Sequence, residues 1–497
     1  MRLLRSKPCL ALPVNNAAQP IRVTFSAGGD EKWSLDCRLD FETPKYTLYP
    51  DFSRYFGDSE EINIEVSPDF EFEASARPAP KYDLPCRPQL RFSPAYGWNN
   101  DPNGLCWFAG QYHMFFQHNP AGSTWGNMHW GHAVSSDLIR WKETDIALYP
   151  DADDHTIFSG SAVVDERNVS GLGEEGKPAL LLFYTAAGDP FEQRLAYTLD
   201  GVTFRRCEGA VVPHIADANR DPKVVWCEEL GKYVMALYLT EHTFRLLSSG
   251  DLLEWETVQD LELPGDSECP DFYPLTADDG QRRWVFMAAS AHYYVGVIKN
   301  GRYEPTQGWR TMQPCGTGTI GYAAQTFFND PRGRRVRISW IRRGTPEDAP
   351  FSQNMSLPHE LKLISEPSGG YHVAAMPVSE LALLTTDRGP GLRADFDVRA
   401  ARDASVTLRG TTIPLPEGSY RCTVVLDGTS WERYIPSLGD VTAGEIAAPE
   451  SRPDRRRSGR RQPDQIRVYT AREPGGVTFA NAEPEAYGEK ALESIWA

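Results

Sequence analysis

A chain of 497 residues is too long for one hydrophobic core and predicts two or three domains. Its 41% hydrophobic and 11% aromatic content supports substantial cores, and a net charge of −17 argues against nucleic acid and anionic membranes as partners. Nine cysteines without a Cys-x-x-Cys pair match neither a disulfide framework nor a zinc site, and no apolar run approaches the ~18 residues of a spanning helix.

The amino terminus carries Arg2, Arg5 and Lys7 ahead of a short apolar stretch broken by Pro13. That pattern reads as a first β-strand and not as a signal peptide, which predicts a cytoplasmic protein; a native signal ahead of this chain would make it secreted or periplasmic. Residues 1–73 alternate apolar and polar side chains, as in Ile21-Arg22-Val23-Thr24-Phe25 and Ile62-Asn63-Ile64-Glu65-Val66. Period-two alternation marks half-buried strands, so a small N-terminal β module is expected. Residues 74–84 read as an extended linker, stiffened by Pro78 and Pro80.

Five strand-like runs follow, at 111–117, 180–186, 232–240, 282–290 and 334–342. The last four are spaced by roughly fifty residues, the length of one four-stranded propeller blade. An Asp followed four residues later by an aromatic recurs at Asp137/Trp141, Asp200/Phe204 and Asp251/Trp255. Residues 85–375 therefore read as a five-bladed β-propeller. From 376 to 497 the alternating segments 405–408 and 420–426 predict a C-terminal β-sandwich, with the Arg-rich stretch 452–461 as an exposed loop in it. The fold class is all-β.

Three acidic motifs precede three of the runs. Asp101 lies in Trp98-Asn99-Asn100-Asp101-Pro102-Asn103-Gly104, Asp221 in Asn219-Arg220-Asp221-Pro222-Lys223, and Glu268 in Ser267-Glu268-Cys269-Pro270-Asp271. The first reads as a turn that points a side chain outward. Equivalent positions of successive blades converge on a propeller's central channel, so the three carboxylates are expected in one pocket. Such a cluster suits glycoside hydrolysis, which needs a carboxylate and a carboxylic acid around the scissile bond. Crowding raises at least one pKa and keeps one acid protonated near neutrality, while Arg220 is expected to hold Asp221 ionised. Singly, each motif is explained as a capping acid in a surface turn; their common phasing in the blades argues otherwise.

Further motifs accompany these: Phe115-Phe116-Gln117-His118-Asn119-Pro120, Trp125-Gly126-Asn127, Phe158-Ser159-Gly160-Ser161 and Gly321-Tyr322-Ala323-Ala324-Gln325. With them the chain resembles glycoside hydrolase family 32, the β-fructofuranosidases that include invertases, levanases and exo-inulinases. The resemblance is close over residues 86–365 and looser beyond. It implies a five-bladed propeller with a trailing β-sandwich and a retaining double displacement that needs no metal or organic cofactor. It implies Asp101 as nucleophile, Glu268 as general acid/base, and Asp221 as the carboxylate that binds fructose hydroxyls. Asn100 and Gln117 match substrate-binding amides, and Arg220 braces Asp221. Trp125, Phe158, Tyr322 and Trp340 match pocket walls, with Ser159 adding a hydroxyl. Two departures stand out: Asn99 occupies a position where Met is commoner, and 449–463 has no counterpart. The N-terminal module resembles the β-domain that precedes the propeller in some levanase-like members.

The implied partner is a small-molecule or polysaccharide fructoside (sucrose, levan or inulin), with no nucleic acid and no membrane; a homo-oligomer stays open. A fructosyltransferase using the same trio and an inactive glycan-binding propeller are the alternatives. All three acids being present argues against the inactive form.

Overall fold

The computed structural model describes residues 1–26, 32–79, 84, 86–88, 90–150, 155–312, 321–342, 349–384, 392–408, 411–427, 430–438, 440–445 and 478–484. Among them the only helices are three short 3₁₀ turns, so the all-β expectation holds. No described helix is long and apolar enough to cross a membrane.

Short alternating segments build the N-terminal module. Lys32–Cys37, Ile21–Ser26 and Glu65–Ser67 form one antiparallel sheet, and Tyr46–Leu48, Cys9–Val14 and Glu73–Ser75 another. Phe25, Trp33 and Phe52 fill the core they share, where large rings bury the most apolar area per residue. Glu73–Ser75 carries the module's pairing two residues into the stretch read as linker. Beyond it, Arg77 is pinned by Asp51 and Asp145, each at 2.7 Å.

Five antiparallel sheets of four main strands then follow in chain order. Blade I starts with Gly97–Phe108, blade II with Thr156–Asp165, blade III with Arg220–Cys227, blade IV with Asp271–Thr276 and blade V with Tyr322–Thr326. The second strands, Gln111–Asn119, Ala179–Ala187, Lys232–Thr240, Arg282–Met287 and Val336–Ile341, coincide with the five runs seen in the sequence. These strands are covered on both faces by neighbouring blades, which is why they read as continuous apolar runs and not as alternation; every residue of Ala179–Ala187 is buried. The recurring aspartates close the turn between third and fourth strands. Asp137 accepts from the amides of Ile139 and Arg140, Asp200 from Val202 and Thr203, and Asp251 from Leu253 and Glu254, the Asx-turn geometry.

Blade V returns to blade I through Phe351–Ser352, which pairs in parallel with Gly97-Trp98. The fully buried Asn99 fastens this seam: its amide, in the orientation its surroundings require, donates to the carbonyls of Ser352 at 3.3 Å and Gln353 at 3.2 Å. A Met there would lack both bonds. At the hub, Gln325 accepts from the Leu105 amide at 3.3 Å and donates to the Gly160 carbonyl at 2.9 Å, joining blades I, II and V. The buried Lys223 ammonium meets Asp271 at 3.1 Å and the Thr326 carbonyl at 2.7 Å, joining III, IV and V.

Past the propeller, Leu392–Leu408, Thr411–Leu415, Gly418–Asp427, Ser430–Ile435, Asp440–Glu445 and Thr478–Pro484 form one six-stranded sheet. Val425, Tyr434 and Val441 enter the same apolar cluster as propeller residues Tyr293 and Val336. Stretches 449–463 (with the Arg-rich 452–461) and 492–496 lie outside the described residues.

Candidate active site

The inner strands of the blades are irregular at one common level. In blade I, Phe116 pairs with Pro102 and His118 with Asn99, so Asn100 and Asp101 together oppose Gln117. The register also slips at Ser159 in blade II, across Asp221 and Pro222 in blade III, and across Ala323 and Ala324 in blade V. In blade IV, Glu268 and Cys269, separated from the strand start Asp271 by Pro270, have φ of 59° and 39°, while Asp221 has 64°. Left-handed backbone at non-glycine residues costs ~1–3 kcal/mol each and gathers at functional sites. Here the left-handed residues Asp221, Glu268 and Cys269 and the strand bulges at Asp101 and Ser159 bring side chains of successive blades to one level. Asp101 thus sits on a strand bulge, not in the turn that its Asn-, Pro- and Gly-rich surroundings suggest.

A pocket at this level is lined by Asp101, Ser159, Asp221, Cys269, Ala323 and Gln325. Asp101 Oδ2 accepts from the Ser159 hydroxyl at 2.7 Å. Asp221 Oδ2 accepts from the Cys269 amide at 2.9 Å. The Cys269 thiol lies 3.5 Å from Asp101 and 3.4 Å from Asp221, so one sulfur touches both carboxylates. Arg220 donates to Glu268 Oε1 at 2.6 Å and stands 3.8 Å from Asp221. Tyr322 donates to Glu268 Oε2 at 2.6 Å. Blades I, II, III, IV and V therefore each contribute a polar group to one cluster.

The remaining expected residues frame it. Trp125, 59% exposed, sets its ring edge-on to Phe158 at 6.0 Å, and Phe158 precedes Ser159 on the same strand. Trp340 stands 6.1 Å from Tyr322 and donates its indole N–H to Gln353 at 3.1 Å. Asn100 is buried and accepts from the Trp98 indole at 3.0 Å. Gln117 is placed differently: its amide donates to the Ile157 carbonyl at 2.9 Å, bracing blade II against blade I behind the pocket wall. Three neighbours carried no role in the sequence reading: Cys269 between the carboxylates, Trp98 at 5.9 Å from Trp340, and Arg342 with Cζ 3.6 Å from the Tyr322 ring centre. Trp98 and Cys269 do lie inside the acidic motifs, but nothing in a linear sequence tells which carboxylate a thiol faces.

The electrostatics differ from expectation. Burial raises the Asp101 pKa, and the hydrogen bonds from Ser159 and Asn100 only partly oppose it. Burial also pushes Asp221 up to about 7, outweighing Arg220, with Asp101 adding repulsion. Arg220 therefore does not hold Asp221 firmly ionised. Glu268 goes the other way: enclosure raises it, but the bonds from Tyr322 and Arg220 together carry it below the usual carboxylate range. The upward shifts fall on Asp101 and Asp221 and the downward one on Glu268, so the environment favours a proton on the Asp101–Asp221 side over one on Glu268. Among the described residues no group of three or more His, Cys, Asp and Glu side chains is disposed to hold a metal ion.

Fold and site together define a β-propeller with three carboxylates converging at the mouth of its channel. The family model described as the glycosyl hydrolases family 32 N-terminal domain matches residues 91–375. The chain belongs to that family. It is 35% identical over 337 residues to a levanase of Bacillus subtilis, covering 62% of this chain and 49% of the levanase. It is also 35% identical over 376 residues to an invertase of Schizosaccharomyces pombe, covering 69% of this chain and 63% of that one. This chain thus spans about half to just under two-thirds of the length of these curated relatives. The crystal structure of exo-inulinase from Aspergillus awamori superposes with a TM-score of 0.64 at 24% identity, over 74% of this chain and 94% of that one. Fructofuranosidase from Schwanniomyces occidentalis, complexed with fructose, gives 0.64 at 21%, over 73% and 92%. At those identities the two structures bear on the fold alone.

Proposed function

We propose that this protein hydrolyses terminal β-D-fructofuranosyl units of sucrose or of fructans, retaining configuration through a fructosyl-enzyme. The observation that carries the reading is the convergence of Asp101, Asp221 and Glu268, from three blades, on one pocket. Asp101, steadied by the Ser159 hydroxyl, attacks the anomeric C2. Glu268 protonates the departing glycosyl oxygen and then, as a base, activates water. Asp221 accepts hydroxyls of the bound ring. Its neighbours Arg220 and the Cys269 amide fix that carboxylate in place.

The proton is the instructive part. In the empty pocket Arg220 and Tyr322 both stabilise ionised Glu268. An entering sugar that takes either bond raises the Glu268 pKa, while its hydroxyls on Asp221 favour the ionised form there. Substrate binding thereby moves the shared proton toward the residue that must donate it. Its relatives among characterised proteins, a levanase, an exo-inulinase, a fructan beta-fructosidase and an invertase, support a fructoside substrate.

Fructose release from sucrose, inulin and levan, by the native protein and by Asp101→Asn, tests the reading. Release that the substitution abolishes is expected. A native protein that binds one of these glycans but frees no fructose would refute hydrolysis.

A further inference from the structure

The N-terminal module grips one specific piece of the pocket wall. Between strands Gln111–Asn119 and His129–Ser135 of blade I, residues 120–128 carry the exposed Trp125, whose ring meets Phe158 beside the pocket-lining Ser159. Trp125 itself is the most exposed aromatic of the site, yet the segment beneath it is anchored at four points outside the propeller. Asn127 takes a left-handed backbone, φ 44°, and its amide clasps the main chain of Asp36: Asp36 N–H donates to Oδ1 at 2.7 Å, and Nδ2 donates to Asp36 O at 2.9 Å. The buried Ser123 hydroxyl meets Tyr46 Oη at 2.7 Å and Asn16 Nδ2 at 3.0 Å. Ala121 sits in the module's own apolar core beside Trp33 and Phe52. At the far end of the segment, the Trp33 indole donates to His129 Nε2 at 2.9 Å.

Within the propeller, Asn119 bonds the Ala121 amide, the Thr124 carbonyl and Asn127, the Ile157 amide donates to the Met128 carbonyl at 2.9 Å, and Trp125 meets Phe158. A loop of this length with an exposed aromatic at its tip would otherwise sample many conformations, and each frozen rotamer costs about 0.5–1.5 kcal/mol on binding. The module removes that cost in advance. Its contacts lie under Trp125, and none of them reaches the carboxylates.

We propose that the N-terminal module is a positioning element for Trp125, setting how firmly the site holds the part of a fructoside that projects from the pocket. This rests on the fructosidase reading. Ser123, Asn127 and Tyr46 are the positioning residues; Trp125 is the group that meets the sugar. The module thereby affects binding of the substrate and leaves the bond-breaking step to the trio.

Steady-state kinetics on sucrose and on a short inulin oligosaccharide test it, with Asn127→Gly, Ser123→Ala, Trp125→Ala and each pair with Trp125→Ala. Glycine keeps the left-handed backbone at 127 and loses the clasp on Asp36 together with the amide bond to Asn119. The expected result is a KM about three- to ten-fold higher in Asn127→Gly and Ser123→Ala, kcat nearly unchanged, and no further loss in the Trp125→Ala background. A fall in kcat at constant KM, or losses that multiply with Trp125→Ala, would overturn the proposal. Hydrogen exchange across residues 120–128 reads the clamp without turnover. Faster exchange in both variants is expected, and unchanged exchange refutes the clamp. A native protein that frees no fructose, with faster exchange in the variants, refutes the fructosidase reading and leaves the clamp standing.

Discussion

At the residue scale, the proposed mechanism depends on two carboxyl groups that must hold opposite charge states. Asp101 attacks only when ionised, so its raised pKa sets the acidic limb: activity is lost as pH falls through it. Glu268 donates only when protonated, so its lowered pKa sets the alkaline limb: activity is lost as pH rises through it. The two limbs are thereby drawn together, and a narrow bell is the expected profile of kcat/KM. Tyr322→Phe removes one donor that favours ionised Glu268. The alkaline limb of kcat/KM is expected to move upward in that variant, and a pH series with sucrose measures it. In Glu268→Gln, kcat on sucrose is expected to fall by about 10²–10⁴. An activated leaving group should recover much of the first step.

At the element scale, the bulges decide what the blades can do. Gly160 follows the unpaired Ser159, and a Cβ there would lie 1.9 Å from the Phe183 carbonyl oxygen. Gly160→Ala must push the inner strand of blade II away from its neighbour. An expected cost of about 1–3 kcal/mol appears in thermal unfolding, together with lower activity as Ser159 leaves Asp101. Much of this layer was legible beforehand. The runs of apolar second strands and the Asp-x-x-x-aromatic turns are local patterns, and they mark each blade repeat. The acidic motifs were legible as well, because three of them fall at the same phase of the repeat. The bulges were not. A one-residue register slip leaves no trace in alternation, so Asp101 read as a turn residue. Gln117 stands out in an aromatic run because a buried polar residue demands a partner, and for its amide N–H the Ile157 carbonyl is one. The relative pKa order of the trio depends on distances to Tyr322 and Arg220 across blades, which spacing along the chain does not encode.

At the scale of the whole molecule, the propeller is held from two sides. The N-terminal module fixes the Trp125 segment. On the C-terminal side, the six-stranded sheet locks to the propeller through Arg91, which is buried between Glu432 at 2.8 Å and Asp427 at 3.6 Å, with His359 3.0 Å from Glu432. Removing one member of a buried ion network strands the others. Arg91→Met is therefore expected to cost about 3–5 kcal/mol in urea unfolding at neutral pH. Although burial opposes it, Arg91 and His359 hold the Glu432 carboxyl far below its ordinary range. Its contribution is thus present above the unfolded carboxylate pKa and lost as pH falls, so the gap between variant and native protein should narrow in acid.

The central claim is that Asp101 becomes covalently bonded to fructose. Glu268→Gln treated with β-fructofuranosyl fluoride, quenched in acid and digested, tests it most directly. Fluoride leaves without an acid catalyst, and the missing base slows hydrolysis of the intermediate. One fructosyl unit is expected on the peptide containing Asp101, and none in the Asp101→Asn double variant. Turnover with inverted product and no adduct, or an adduct on another residue, would contradict it.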